Sequence, residues 1–286
     1  MDNYLEVRNI SKTFESFHLN NISFTLPKGY IMGLIGANGS GKTTTIKLIL
    51  NMIKRESGKI NILGLDNITD ENAVKSYLGT VFDANYFCDE WTVSQVEKSV
   101  SMFYENWRSD KFSNLLKRFH IESKKKVREL SKGMQMKLML ACALSYNAKL
   151  LILDEPTSGL DPVSRDELLN LLAEYIEDGE HSVLFSTHIT SDLERAADYI
   201  TYLHYGELYF TGSKDEFVDM FRIVKGGQEE LTSDMRKKII GIRKYSTGFE
   251  GLIKAEEAKQ FSYLTIEPAT IDEIMVFTNQ KGEHHE

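Results

Sequence analysis

The apolar positions of this chain switch between two periods. Residues 4–10 and 17–26 alternate, with Leu5 and Val7 in the first stretch and Phe17, Leu19, Ile22, Phe24 and Leu26 in the second. That pattern predicts two antiparallel strands, each with one buried face. Residues 30–35, Tyr-Ile-Met-Gly-Leu-Ile, are a continuous apolar run and predict a buried strand. Directly beyond, Ile46, Ile49, Leu50 and Ile53 recur at helical spacing. Residues 57–62 read as a turn and strand, and 78–82 as another buried strand. From about 92 to 145 the period is helical. Thr92 with Gln95 makes a capping box ahead of Val93, Val96, Val100 and Phe103. A second helix over 110–120 carries Phe112, Leu115, Leu116 and Phe119, and a third starts near Ser131 with Leu138, Ala141 and Leu144.

Strands and helices then alternate. Residues 149–153 are apolar and end at Asp154. Asp161-Pro162 sets an N-cap before proline at the first helical position, followed by Leu168, Leu171, Leu172 and Tyr175. Residues 182–186 are the next strand. His204-Tyr205-Gly206 joins 199–203 to 207–210 as a hairpin. Ser213 with Glu216 forms another capping box. Past 222 the signal weakens until Pro268 and Thr270 with Glu273 open a last helix carrying Ile271, Ile274 and Met275. The order predicts an α/β fold with an antiparallel β subdomain before it, a helical insertion at about 92–145, and a boundary between 1–221 and a small C-terminal module, 222–286, of unassigned role.

Composition narrows the class. Hydrophobic residues at 42% and charged ones at 27% describe a soluble globular chain. Lys+Arg 34 against Asp+Glu 42 leaves a net charge of −8, which argues against a nucleic-acid partner. No stretch approaches the ~20 apolar residues that cross a bilayer. The start, Met1-Asp2-Asn3-Tyr4, carries no basic-plus-apolar signal. The expectation is a cytoplasmic protein whose membrane role, if it has one, comes through a partner. Cys88 and Cys142 lie far apart, and Cys142, among Met139, Leu140, Ala143 and Leu144, reads as a core thiol. The basic run Lys124-Lys125-Lys126 with Arg128 reads as a solvated loop, and His284-His285 as a solvated tail.

Three places carry chemistry. Gly36-Ala37-Asn38-Gly39-Ser40-Gly41-Lys42-Thr43-Thr44 sits where the 30–35 strand turns into a helix, the context of a phosphate-binding P-loop. Its glycines let backbone N–H groups face inward around a phosphate, and the helix N-terminus adds partial positive charge. Lys42 can reach terminal phosphates, and the Thr43 hydroxyl can ligate Mg²⁺. Asp154 and Glu155 close a buried strand, where a carboxylate suits Mg²⁺ and a second can polarise an attacking water. Ser131-Lys132-Gly133-Met134 opens a helix whose N–H groups offer a second anion site. One nucleotide rarely needs two cradles within one chain, so this one is expected to serve a nucleotide on another copy.

The order of 36–44, 130–135, 150–161 and Ser186-Thr187-His188 resembles the nucleotide-binding domain of an ABC transporter over about residues 4–220. The resemblance implies a P-loop NTPase with a RecA-like core, an antiparallel β subdomain and a helical subdomain, using ATP and Mg²⁺. It implies that Phe14 stacks on adenine, with Phe17 as competitor. It implies that Asp154 holds Mg²⁺, that Glu155 is the catalytic glutamate and that His188 is the switch histidine at the γ-phosphate. Ser158, Gly159, Leu160 and Asp161 match the D-loop that crosses a dimer interface. Ser131, Lys132, Gly133 and Met134 match the signature that meets the ATP of a partner copy. Two positions depart from the family. Asp83 stands where Gln is usual, a shorter and negative candidate Mg²⁺ contact, and the signature reads Ser-Lys-Gly-Met instead of Ser-Gly-Gly-Gln. Val81-Phe82-Asp83, residues 130–138 and residues 188–194 are similar to ABC-2-type exporter ATPases, among them phenol-soluble modulin and peptide-antibiotic exporters. The implied function is the ATP-hydrolysing motor of an exporter of peptide or drug-like cargo. It would pair with a second ATP-binding subunit, identical or not, and with an integral-membrane permease at the inner face of the membrane. Phe82, Tyr86, Phe87 and Trp91 are the expected apolar floor for a permease helix. A soluble non-transport ATPase of the same family, or a nucleotide-gated regulatory module, is the alternative.

Overall fold

The computed structural model describes residues 2–146 and 148–280; His284-His285 lie outside the described residues. The chain begins with β1 (Asn3–Thr13), β2 (His18–Pro27) and β3 (Ile31–Ile35), then α1 (Lys42–Ile49), β4 (Ser57–Ile62), β5 (Leu65–Asp66), α2 (Glu71–Tyr77) and β6 (Leu78–Val81). The helical segment is α3 (Val93–Ser101), α4 (Ser109–Arg118) and α5 (Lys132–Leu144). Alternation resumes with β7 (Leu150–Asp154), α6 (Pro162–Ile176), β8 (Ser182–Thr187), α7 (Thr190–Ala196), β9 (Tyr199–His204), β10 (Glu207–Ser213) and α8 (Lys214–Asp219). Last come β11 (Phe221–Gly226), α9 (Ser233–Lys238), β12 (Ile242–Lys244), β13 (Phe249–Lys254), β14 (Thr265–Pro268) and α10 (Ile271–Gln280).

Among the described residues the strands form three sheets: an antiparallel one in the order β2-β1-β4-β5, a six-stranded one in the order β10-β9-β3-β8-β7-β6, and a C-terminal one in the order β12-β13-β11-β14. In the six-stranded sheet β6, β7, β8, β3 and β9 run parallel, and β10 returns antiparallel through the hairpin. The parallel strands are buried at nearly every position, which is why they read as unbroken apolar runs. The N-terminal sheet covers α1 and one face of that sheet; Leu5, Val7, Leu19, Ile22, Ile46, Ile49 and Leu184 share one apolar cluster. The helical insertion packs through Phe112, Leu116, Leu138 and Leu140 into a second cluster with Leu151, Leu153 and Phe185.

Two elements in the sequence's quiet stretches are additions to the reading. α2 leads directly into β6, and 221–268 folds as short antiparallel strands with α9 between the first two. α10 is joined to the main sheet rather than to its own alone. Ile271, Ile274 and Phe277 belong to the same cluster as Leu193, Ala197 and Tyr202. The buried hydroxyls of Tyr202 and Thr278 lie 2.7 Å apart. Helix α7 leans on β3 through Gly33, where a β-carbon would stand 2.1 Å from the Leu193 Cδ2. No helix among the described residues is long and apolar enough to cross a membrane.

Candidate functional site

The carboxyl ends of β3, β6, β7 and β8 open on one side of the parallel sheet, the side where open α/β sheets place ligands. A cleft of about 870 Å³ lies there, lined by Phe14, Asn38, Gly39, Gly41, Lys42, Thr43, Thr44, Asp83, Glu155, Ser158 and His188, together with Ser16 and Phe17. Residues spread over 175 positions of sequence meet because each follows directly from a strand end or a strand-linking loop.

The floor is the loop between β3 and α1. Gly36 has φ +151°, and a β-carbon there would stand 2.3 Å from both the Leu203 carbonyl oxygen and the Ser40 Oγ. Gly41 caps α1 with φ +108°, and a β-carbon there would meet the Leu19 Cδ1 at 2.7 Å. Only glycine fits this curl. Lys42 is 6% exposed, and its ammonium donates to the Gly36 carbonyl at 2.8 Å and lies 3.3 Å from that of Ala37. It thus stands inside the curl of the loop. Ser40 Oγ is buried without a partner among the described residues, a polar atom waiting at the cradle. The first turn of α1 carries no acidic residue, so its positive end is unopposed.

The wall is built by the parallel pairing of β7 and β8, which sets Asp154 beside Ser186. The Ser186 hydroxyl donates to Asp154 Oδ1 at 2.6 Å and accepts the Glu155 N–H at 2.9 Å. The Thr43 hydroxyl also donates to Asp154 Oδ1, at 3.2 Å. Glu155 has a left-handed backbone, φ +50°. Its carboxylate faces Lys42 Nζ at 3.4 Å and His188 Nδ1 at 2.8 Å. Thr43 and Asp154 offer the hard oxygen donors that Mg²⁺ takes, so the residues present fit that ion. The site therefore joins a phosphate cradle, a cation-binding pair and a carboxylate–imidazole pair. That set can bind a nucleoside triphosphate and activate water against its terminal phosphate.

Phe14 is 41% exposed beside the cleft, whereas Phe17 is held against Gly41 and Gly206. The Lys12 ammonium lies 5.7 Å from the Phe14 ring centre. Ser158 lines the cleft, Leu160 is buried, and Asp161 Oδ1 caps α6 by accepting the Val163 and Ser164 N–H groups at 3.0 and 3.1 Å. The Ser164 hydroxyl, together with these N–H bonds, holds the Asp161 carboxyl below the usual range. Ser131, Lys132, Gly133 and Met134 stand outside the residues that line the cleft of their own chain. Ser131 caps α5, and a β-carbon on Gly133 would touch Leu160 and Ser164. Lys132 reaches Asp83 Oδ1 at 2.8 Å, so the two departures from the family sequence are ion-paired to each other. The sequence reading missed that pair, and it gave Ser186 no role beyond its place in the Ser186-Thr187-His188 motif.

A second opening, of about 410 Å³, lies beyond Asp83 and is floored by Phe82, Tyr86, Phe87, Val100, Phe103 and Tyr104. Phe103 is 82% exposed at its edge. Trp91 is not among its lining, a correction to the expected floor: Trp91 is drawn to the loop before α5, where its carbonyl accepts the Val127 N–H at 2.9 Å. The basic run lies at the surface, as expected of a solvated loop, and is ion-paired there: Lys126 and Arg128 both pair with Glu90, and Lys125 lies 3.5 Å from Glu122.

Comparisons with known proteins agree with this architecture. The family model described as ABC transporter matches residues 19–158. The ABC-type transporter ATP-binding protein EcsA of Bacillus subtilis is 33% identical over 228 residues, 78% of this chain and 92% of that protein. The bacitracin transport ATP-binding protein BcrA of Bacillus licheniformis is 29% identical over 212 residues, 73% of this chain and 69% of that protein. A solved ATP binding subunit of an ABC transporter superposes with a TM-score of 0.68 at 28% identity, covering 74% of this chain and 91% of that one.

Proposed function

The chain belongs to the ABC transporter family as a nucleotide-binding, ATP-hydrolysing subunit, and from that premise we propose that it drives an exporter of peptide or drug-like cargo. The observation that carries the catalytic part is the convergence of Lys42 and His188 on the Glu155 carboxylate over the P-loop, at 3.4 and 2.8 Å. Lys42 and the N–H groups at the start of α1 bind the terminal phosphates. Glu155 accepts a proton from the attacking water. His188 holds Glu155 in place from one side and donates to the γ-phosphate from the other. Phe14 is the exposed ring on which adenine stacks. Mg²⁺, held by Thr43 and Asp154 with Asp83 as a further candidate, supplies neutralisation of phosphate charge when bound.

Two copies, or this chain with a related one, enclose two ATP molecules, each between one P-loop and the other subunit's Ser131, Lys132, Gly133 and Met134. Ser158, Gly159, Leu160 and Asp161 lie along that interface. Hydrolysis parts the two subunits, and a separate membrane permease reads the separation as a rigid-body change. In this reading the opening floored by Phe82, Tyr86 and Phe87 receives a short helix of the permease, with the chain held at the inner face of the membrane. The likeness to a bacitracin transport subunit supports export of a cargo of that kind.

Glu155→Gln tests the motor. It should bind ATP, lose turnover and accumulate as an ATP-dependent dimer on size-exclusion chromatography. Undiminished turnover refutes the assignment of Glu155. Tagged protein recovered from detergent-solubilised membranes should bring a multi-span membrane protein with it, and Phe103→Asp should lose it. Recovery of no such protein with the unaltered chain favours a soluble ATPase.

A further inference from the structure

We infer that Asp192 is a positioning residue for hydrolysis: through the Thr157 hydroxyl it fixes the turn that aims Glu155 at His188. The inference rests on the reading of Glu155 and His188 as the hydrolytic pair.

The need for such a residue follows from where the sheet stops. The register of β7 against β8 ends at Asp154 opposite Ser186. Beyond it no ladder hydrogen bonds hold the two exits, yet Glu155 keeps φ +50°. A non-glycine residue there is strained and persists only where its surroundings over-determine it. Ser186 fixes the near side through the Glu155 N–H, at 2.9 Å. The far side is fixed two residues on, where the Thr157 hydroxyl donates to Asp192 Oδ2 at 2.6 Å. Thr157 is fully buried and Asp192 is 1% exposed, so water does not compete for this bond.

Asp192 sits at a junction of three segments. It lies in the first turn of α7, four residues after His188, and its N–H donates to the Ile189 carbonyl at 3.2 Å. It meets Thr157 from the Glu155 loop. It also lies 3.9 Å from the Arg165 guanidinium on α6, whose Nε is buried without a hydrogen-bond partner among the described residues. Burial pushes its carboxyl above the usual range, against the pull of Thr157, Arg165 and His188. A site that needed only packing would be filled more cheaply by an apolar side chain. A buried carboxylate here instead sets a direction. The bonds Glu155–His188 and Thr157–Asp192 become two rungs between the same two segments, and two rungs fix an angle where one fixes only a distance.

The test compares variants of the full chain for kcat, KM for ATP and melting temperature. Thr157→Val keeps the shape and removes the hydroxyl; it should lower kcat at least about tenfold, the scale of a misaimed catalytic group, with KM changed less than about twofold. Thr157→Ser keeps the hydroxyl and should recover most of kcat. Asp192→Asn keeps an acceptor oxygen and should retain more kcat than Asp192→Ala. Full kcat in Thr157→Val overturns the inference, whatever its melting temperature. So does loss of kcat in Thr157→Ser at an unchanged melting temperature, a result that stands even if Thr157→Val does not fold. Glu155→Gln run alongside separates the two readings. Undiminished turnover in Glu155→Gln defeats the underlying assignment, whereas a dead Glu155→Gln beside a fully active Thr157→Val defeats only the role of Asp192.

Discussion

Phe277→Ala decides whether the last helix is part of the catalytic unit or an appendage. Phe277 on α10 is fully buried and shares its cluster with Leu193 and Ala197 of the segment that follows His188. Truncating a buried Phe to Ala costs roughly 3–5 kcal/mol, as lost transfer energy plus the cavity left behind. The Arg243 guanidinium lies 5.4 Å from the ring centre, and its half-exposed side chain adds only about 0.5–1 kcal/mol of cation–π attraction. A total of ~5 kcal/mol, at about 2 °C per kcal/mol for a chain somewhat larger than 250 residues, lowers the melting temperature by ~10 °C. The assay is calorimetry of the full chain, paired with residual ATPase activity after heating. If α10 and the main sheet unfold together, one transition moves and thermal inactivation moves with it, while KM for ATP at 25 °C is unchanged. An early transition that leaves the inactivation temperature in place refutes the reasoning, because it shows that the packing of α10 on α7 does not bind α10 into the catalytic unit.

Asp83 and Lys132 are each about half exposed, so their bond should contribute no more than about 1 kcal/mol in a double-mutant cycle and should vanish in 1 M salt. A salt-resistant coupling above ~2 kcal/mol contradicts that. Gly36→Ala should abolish binding of a fluorescent ATP analogue, because the added carbon meets the Leu203 carbonyl and cannot be relieved by a rotamer change; unaltered affinity would show that the loop can open. The Asp66 carboxyl is held below its usual range by the Ile68 N–H first, then by the Thr69 N–H, with Arg55 adding to both. Its contribution to stability is therefore complete above the unfolded value of about 3.9 and is lost as pH falls through the lower folded value. Asp66→Asn should flatten that acid limb in pH-dependent unfolding, and an identical limb in both proteins excludes Asp66 as its source.

What could be read along the chain, and what could not, divides on one physical line. The strand ends that carry Asp154, Glu155 and His188 were legible because a strand covered on both faces must announce itself as an apolar run, whereas a role for His188 came only from the family resemblance. The P-loop was legible because its curl admits only glycine at Gly36 and Gly41. Pairings set by register between distant segments leave no local trace. Ser186 beside Asp154, Thr157 beside Asp192 and Lys132 beside Asp83 each join residues 32 to 49 positions apart. The strands β11 to β14 were hidden for a related reason. Their sheet is short and edged by cross-strand charges, Lys225 with Glu267 and Arg243 with Glu250, so polar residues stand where the eye seeks alternation. Phe14 and Phe17 show the line within four residues. Both are aromatic and both flank the same turn, and sequence left them as competitors. The choice belongs to Gly41 and Gly206, whose missing side chains make the room that holds Phe17 in place. Phe17 still lines the cleft, but its ring is held by those contacts, whereas Phe14 is the more exposed of the two.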